Sequence, residues 1–236
     1  MFKEDSRFET PNDKAIIWRY MNFDKFKSLV AEKILYFCSI DTLKSEEDPY
    51  EGSYYASEFL NDIDSSEAKR VVGLMNQCGP PMTVNCWHLS DDESMAMWKL
   101  YAKDNKGIAI QSTVGHLKKA LCSNDEEILI GEIKYTDDPI DNPANYTLDK
   151  FSCITTKRRC YNFEKELRAF VWDADNKRRT QDGSLRLPVE VDVLIDRVLL
   201  APTSLDEMCP KVKKLLADYR VDIPIAVSSL LTNPKY

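Results

Sequence analysis

The sequence predicts an α+β fold, a single domain over residues 1–236 built on a mixed, largely antiparallel sheet with flanking helices. Three observations carry this. Extended and helical patterns are interleaved irregularly rather than in a regular βαβ order. The chain has seven glycines, and none forms the glycine-rich strand-to-helix turn of a doubly wound nucleotide fold. Its 236 residues are 43% hydrophobic and 30% charged. That ordinary globular balance buries a sizeable core without disulfides or structural metal.

Taken in order, "AIIWRYM" (15–21) reads as a strand. "FDKFKSLVAEK" follows it as a helix, with Phe26, Leu29 and Val30 at helical spacing. "ILYFCSI" (34–40) is a second strand, and "DTLKSEEDPYEG" (41–52) a polar loop closed by Gly52. Residues 65–78 read as a helix that "GPP" ends, and "MTVNCWHLS" (82–90) as a strand. Ser90 and Glu93 form a capping-box pattern for the next helix, which places Met95, Trp98, Tyr101 and Ala102 on one face. "GIAIQS" (107–112) is a strand, "VGHLKKAL" a helix and "ILIGEIKY" (128–135) a strand. A long loop spans 136–147, and "LDKFSCITTKRRCY" reads as helical. "YNFEKELRAFVW" (161–172), "LRLPVEVDV" (185–193) and "RVLLAPTS" (197–204) are extended. "PKVKKLLADY" (210–219) is a helix with Pro210 near its start, and "IPIAVSS" (223–229) a last strand.

Charge and composition exclude some function classes. A net charge of −7 argues against broad binding to nucleic acid, which needs a basic surface. The opening "MFKEDSRFET" lacks the apolar core of a signal peptide, and no apolar run approaches a membrane span. A soluble, cytoplasmic protein with no membrane partner is expected. Seven cysteines without a CxxC pair argue against a disulfide framework and a thiolate zinc site, and two histidines against a histidine-rich metal centre. The cysteines are expected to behave as small apolar core residues.

The candidate site centres on "YNFEKELRAFVW". As a helix it would place Glu164 and Arg168 as a surface i,i+4 pair. As a strand it places Glu164, Glu166, Arg168, Phe170 and Trp172 on one face, and its aromatic, β-branched end favours this. Neighbours two apart on a strand face are separated by roughly 7 Å, close enough for two carboxylates to share a ligand or for Arg168 to orient Glu166. A salt-bridged edge strand has the same spacing, so both readings stand. Arg19, inside "IIWRYM", must snorkel or meet an acid, and Glu164 and Glu166 are the candidates. That pairing would put the two strands in one sheet.

The order of motifs resembles a bacterial family known as domain of unknown function 2971. The resemblance runs through "WRYMNFDKFKSLV", "ILYFCSI" and "DPYEG", then "VNCWHLSDDESMAMWKLYAKDNKGIAI", then "YNFEKELRAF" and "LIDRVLLAP". It implies a shared site drawn from Arg19 and Tyr20, Asp48 to Glu51, Trp98 and Tyr101, and Glu164 to Arg168. The order also resembles that of ADP-ribosyltransferases. That resemblance implies NAD as substrate, with Arg19, Tyr20, Ser39 and Arg168 on the NAD side. It makes Glu166 the catalytic carboxylate and Glu164 the residue that orients a nucleophile. The family's Ser-Thr-Ser triplet is absent, since Ile40 and Asp41 follow Ser39. A small-molecule or nucleotide ligand and an unidentified protein target are the implied partners.

Two other classes remain open. One is a non-enzymatic domain that senses a ligand or binds a partner. The other is a phosphodiester hydrolase with Mg²⁺ on Asp48, Glu51, Glu164 and Glu166. In that reading the runs 157–159 and 177–179 would touch phosphates, although such short basic runs usually form solvated surface.

Overall fold

The computed structural model describes residues 1–46, 48–53, 66, 70, 73–74, 81–102, 107–136, 151–173, 179–201 and 205–230. The chain opens with β1 (Ile16–Asn22), α1 (Phe23–Glu32), β2 (Ile34–Ser39) and α2 (Ile40–Glu46). The Asn22 side chain accepts from the Lys25 amide to cap α1, and Lys33, in the left-handed region at φ 53°, turns the chain into β2. Next come β3 (Met82–Leu89), α3 (Met95–Tyr101), β4 (Gly107–Thr113), α4 (Val114–Ala120), β5 (Ile128–Glu132) and β6 (Lys134–Thr136). The rest is α5 (Ser152–Thr155), β7 (Thr156–Arg158), a 3-10 turn (Arg159–Glu164), β8 (Glu166–Trp172), β9 (Leu185–Pro188), α6 (Val191–Leu194), β10 (Arg197–Leu200), α7 (Leu205–Asp218) and β11 (Ile225–Val227).

The result is an α+β fold on one mixed, mostly antiparallel sheet. Its order is β11-β10-β4-β1-β3-β2-β9, with β8 on β3 and β5 outside β8. Within it, β10 and β11 run parallel; the small β6–β7 pair is also parallel. The strands holding Arg19 and Glu166 both pair with β3, so they do share the sheet.

The two faces are built differently. One carries a continuous apolar cluster from Ile17, Trp87, Ile110, Leu167 and Val198, covered by Phe26 and Leu29 of α1, Leu117 of α4 and Val212 of α7. The other carries two separate apolar clusters. Trp18, Tyr20, Trp98 and Ala109 form one; Leu43, Met82, Phe151 and Phe170 form the other. Between them the strands present Cys86, His88, Glu166 and Arg168, as the direct pairing of β3 with β8 requires.

Several elements differ from expectation for local reasons. Residues 41–46 are helical because the Ser39 hydroxyl accepts from the Thr42 amide (3.2 Å) and Ile40 and Leu43 find the core. α3 begins at Met95 with Ser94 as cap, since Glu93 instead receives Trp98 Nε1 (3.0 Å). The expected helix over 148–161 is one turn of α5 within its described part, after which β7 pairs with β6. The strand expected from residue 161 starts at Glu166, because Lys165 is left-handed at φ 40° and ends the 3-10 turn. Residues 191–194 form a helical turn rather than a strand. α7 starts at Leu205 and contains Pro210; the amide that Pro210 lacks would face exposed Asp206, so the lost bond costs little. The helix expected at 65–78 is described only at positions 66, 70, 73 and 74, and the loop at 136–147 only at Thr136.

Of the six described cysteines, Cys153 is buried in the core and Cys38, Cys86 and Cys209 pack against it, while Cys122 and Cys160 are exposed, so the core role expected for them holds for four of the six. Among the described residues no helix is long and apolar enough to cross a membrane.

Candidate functional site

The site begins with a split in the sheet. β8 fills one edge of β3 from Met82 to His88. β1 and β2 must therefore share the other edge. β2 reaches Thr83 and Val84, and β1 reaches His88 and Leu89. Residues 85–87 are left without a strand on that edge among the described residues. Asn85 partly bridges the gap, donating from Nδ2 to the Tyr36 carbonyl (2.8 Å) and accepting from Trp87 Nε1 (2.6 Å). A cavity of about 460 Å³ occupies the split, within the usual size of small-molecule sites.

One wall is an internal charge cluster. Arg168 is fully buried and uses all five N–H groups. It donates to Glu166 (2.7 and 2.9 Å), to Glu51 (3.0 and 2.6 Å) and to the Ile154 carbonyl (2.8 Å). Lys157 lies 2.6 Å from Glu164, 3.4 Å from Glu51 and 3.5 Å from Glu166. Among the described residues, three carboxylates face two cations in this cluster. Burial raises the Glu166 carboxyl, but the charges of Arg168 and Lys157 outweigh that and hold it at about 2. The Cys86 thiol, which burial and Glu166 push well above its usual value, stays protonated and hydrogen-bonds the same carboxylate. Burial opposes the Lys157 charge, and Glu166 and Glu51 more than restore it.

Local sequence explains how these groups arrive. The turn Asp48–Gly52 is closed by the Asp48 side chain accepting from Tyr50 N (3.0 Å) and by Gly52 at φ 66°, a conformation that suits glycine. It delivers Glu51 to Arg168. Arg158 anchors the turn by pairing with buried Asp48 (2.8 Å) and lying over the Tyr50 ring (4.4 Å). Lys157, next to it on β7, points inward instead. Tyr135 of β6, opposite Lys157, accepts the Glu166 amide (2.8 Å) and fixes the start of β8.

Arg19 stands apart. It is in register with the apolar face, opposite Ile110, yet the split gives its side chain access to the cavity it lines. It makes no hydrogen bond or ion pair to any described residue, and Glu164 and Glu166 are taken by Lys157 and Arg168. Burial lowers its pKa, and only the thiols of Cys86 and Cys38 oppose this. An arginine keeps its charge even so, so the cavity contains a cation with no counter-ion among the described residues.

The other expected site residues divide. Tyr20 lines the cavity, its hydroxyl accepting from Ser94 N (2.8 Å) and its ring edge-on to Trp98 (5.1 Å); burial raises its pKa to about 12, so it is neutral. Glu164 and Glu166 line the cavity, and Tyr101 beside them donates to Glu164 (3.5 Å). Ser39 instead bonds Thr42 (2.9 Å) at the start of α2, and the cavity wall there is Cys38 and Thr42. Arg168 has no donor left for a ligand. The four acids considered for Mg²⁺ are each engaged by Arg158, Arg168 or Lys157. Among the described residues no group of three or more His, Cys, Asp or Glu is placed to hold a metal ion. The 157–159 run is not simply solvated surface: Lys157 is buried and Arg158 anchors Asp48. Lys177 and Arg178 lie outside the described residues. Sequence reasoning missed Tyr135 and His88, and it set Lys157 in a basic run facing phosphates rather than against these acids; the one available signal for its inward position was its place beside two threonines of high strand propensity.

No family model, no curated protein and no solved structure matches this chain.

Proposed function

We propose that the cleft binds NAD and supports cleavage of its nicotinamide–ribose bond, in the manner of an ADP-ribosyltransferase. The observation that carries this reading is that Arg19, a cation with no counter-ion among the described residues, and Glu166, an ionised carboxylate, line one cavity. Arg19 suits the pyrophosphate. Trp18 and Tyr20 offer ring surface to the heterocycle. Glu166 suits the ribose, where breaking the glycosidic bond builds positive charge that a fixed carboxylate stabilises. Glu164, bridged to Lys157, orients the acceptor. The resemblance in motif order to ADP-ribosyltransferases supports the same reading. An acceptor on a protein target belongs to this proposal.

One observation favours a second reading, a non-enzymatic ligand sensor. Both Glu166 oxygens already accept from Arg168, which tempers their charge. Incubation of NAD with wild type, Glu166→Gln and Arg19→Ala, followed by chromatography, separates the two. The expected result is nicotinamide release by wild type, loss of release in Glu166→Gln with binding retained, and weakened binding in Arg19→Ala. Wild type that binds ADP-ribose without cleaving NAD is the sensor; wild type that does neither overturns both readings.

A further inference from the structure

His88 is the best-defined proton acceptor in the cleft. On β3 it lies directly opposite Glu166 of β8 and Trp18 of β1, so the three side chains form one row on one face. Directly opposed residues keep their Cβ atoms roughly 4.5–5.5 Å apart. The ring Nδ1 is 2.6 Å from the Glu164 carbonyl oxygen. A carbonyl accepts and never donates, so Nδ1 carries the proton and Nε2 of the neutral ring is a bare lone pair. Nε2 has no partner among the described residues, and the ring lines the cavity.

We propose that His88 is the general base of the cleft, its Nε2 taking the proton of a hydroxyl nucleophile, water or an acceptor alcohol, bound beside Glu166. The electrophile rests on the NAD reading above; the base rests on His88 geometry alone. In hydrolysis the C1′–nitrogen bond breaks and its electron pair leaves with nicotinamide. The water oxygen bonds to C1′, and its proton passes to Nε2. The imidazolium is held by the Glu164 carbonyl at Nδ1–H and by the Glu166 carboxylate across the strands, and it returns the proton to solvent. Nothing is oxidised or reduced.

The ring is faced by Tyr20 from β1, with centroids 6.2 Å apart. Glu166 faces it from β8, Glu164 and Lys165 from the preceding turn, and α3 contributes Tyr101 through Glu164. Burial lowers the ring's pKa; the Glu164 carbonyl opposes this and the Lys165 charge adds to it. The ring is therefore neutral at pH 7 and available as a base.

The chain has two histidines, so ring ¹⁵N spectra contain two spin systems, assigned with His88→Gln. The ligand-free protein at pH 7 is expected to show His88 protonated at Nδ1 and bare at Nε2, and to be acylated there by diethyl pyrocarbonate. A protonated Nε2, an imidazolium at neutral pH or a ring inert to the reagent overturns the proposal whatever NAD does. In an NAD-cleaving wild type, His88→Gln is expected to lower kcat by about 100-fold or more. It should leave the Kd for ADP-ribose within about threefold and remove the fall in rate toward acidic pH. Unchanged kcat in that variant overturns the base. Wild type that does not cleave NAD overturns the reaction reading, while the spectrum and the acylation still decide the base.

Discussion

The two faces of the sheet solve the same burial problem by opposite means. One face is apolar without interruption, with α1, α4 and α7 laid over it. The other is interrupted by a buried charge cluster that separates two apolar patches. The first face tolerates change of shape but derives its stability from area. The second depends on each charge having its partner, because an unpaired buried charge is far costlier than a missing methylene. The cavity lies where the second construction meets the split in the sheet, and there Arg19 has no ion-pair partner among the described residues.

A charge deletion on one face and a volume-conserving change on the other test this contrast. Arg168→Ala leaves Glu51 and Glu166 without their main partner and is expected to cost about 3–5 kcal/mol in denaturant unfolding. Leu215→Met, on the apolar face, is expected to cost under about 1.5 kcal/mol. Comparable small losses for both would mean that the cluster is wet and weakly coupled.

Acid provides the next test. The Glu166 carboxyl is depressed from an ordinary 4.5 to about 2. Its stabilisation is therefore fully present above pH 4.5 and is lost as pH falls toward 2. The loss amounts to about 3 kcal/mol at most. A Glu166→Gln background should flatten that part of the pH–stability curve, whereas Leu215→Met should leave its slope unchanged.

The apolar face was largely legible in the sequence. Phe26, Leu29 and Val30 fall at helical spacing, and the strands that carry Ile17, Ile110 and Leu167 read as extended, because periodicity is a local property. The charged face was legible only in part. Glu166 and Arg168 were visible as an alternating pair, since both lie on β8. Glu164 joins them by another route, through the left-handed Lys165 and the bridge from Lys157. That partner comes from a strand paired with β6, and Glu51 comes from a turn more than a hundred residues away. No local pattern encodes such encounters. Arg19 was expected to meet these acids; it stands on the opposite face of β1 from the row of Trp18, His88 and Glu166, and that is why it reaches only the cavity, through the split.

Smaller effects sharpen the same comparison. Tyr101→Phe removes a long 3.5 Å bond to Glu164 and is expected to cost under about 1 kcal/mol of stability. A larger loss would place Tyr101 inside the cluster rather than at its edge.

Arg19, which lines the cavity, gives the most direct test of the claim that the cleft is a ligand site rather than a by-product of the fold. ADP-ribose is titrated calorimetrically into wild type and Arg19→Ala, with melting curves on both. The account predicts binding to wild type, a loss of about tenfold or more in affinity for the variant, consistent with a charge-assisted bond of about 1.5–3 kcal/mol, and a melting temperature unchanged or raised. A variant that melts well below wild type while binding ADP-ribose equally well would contradict it.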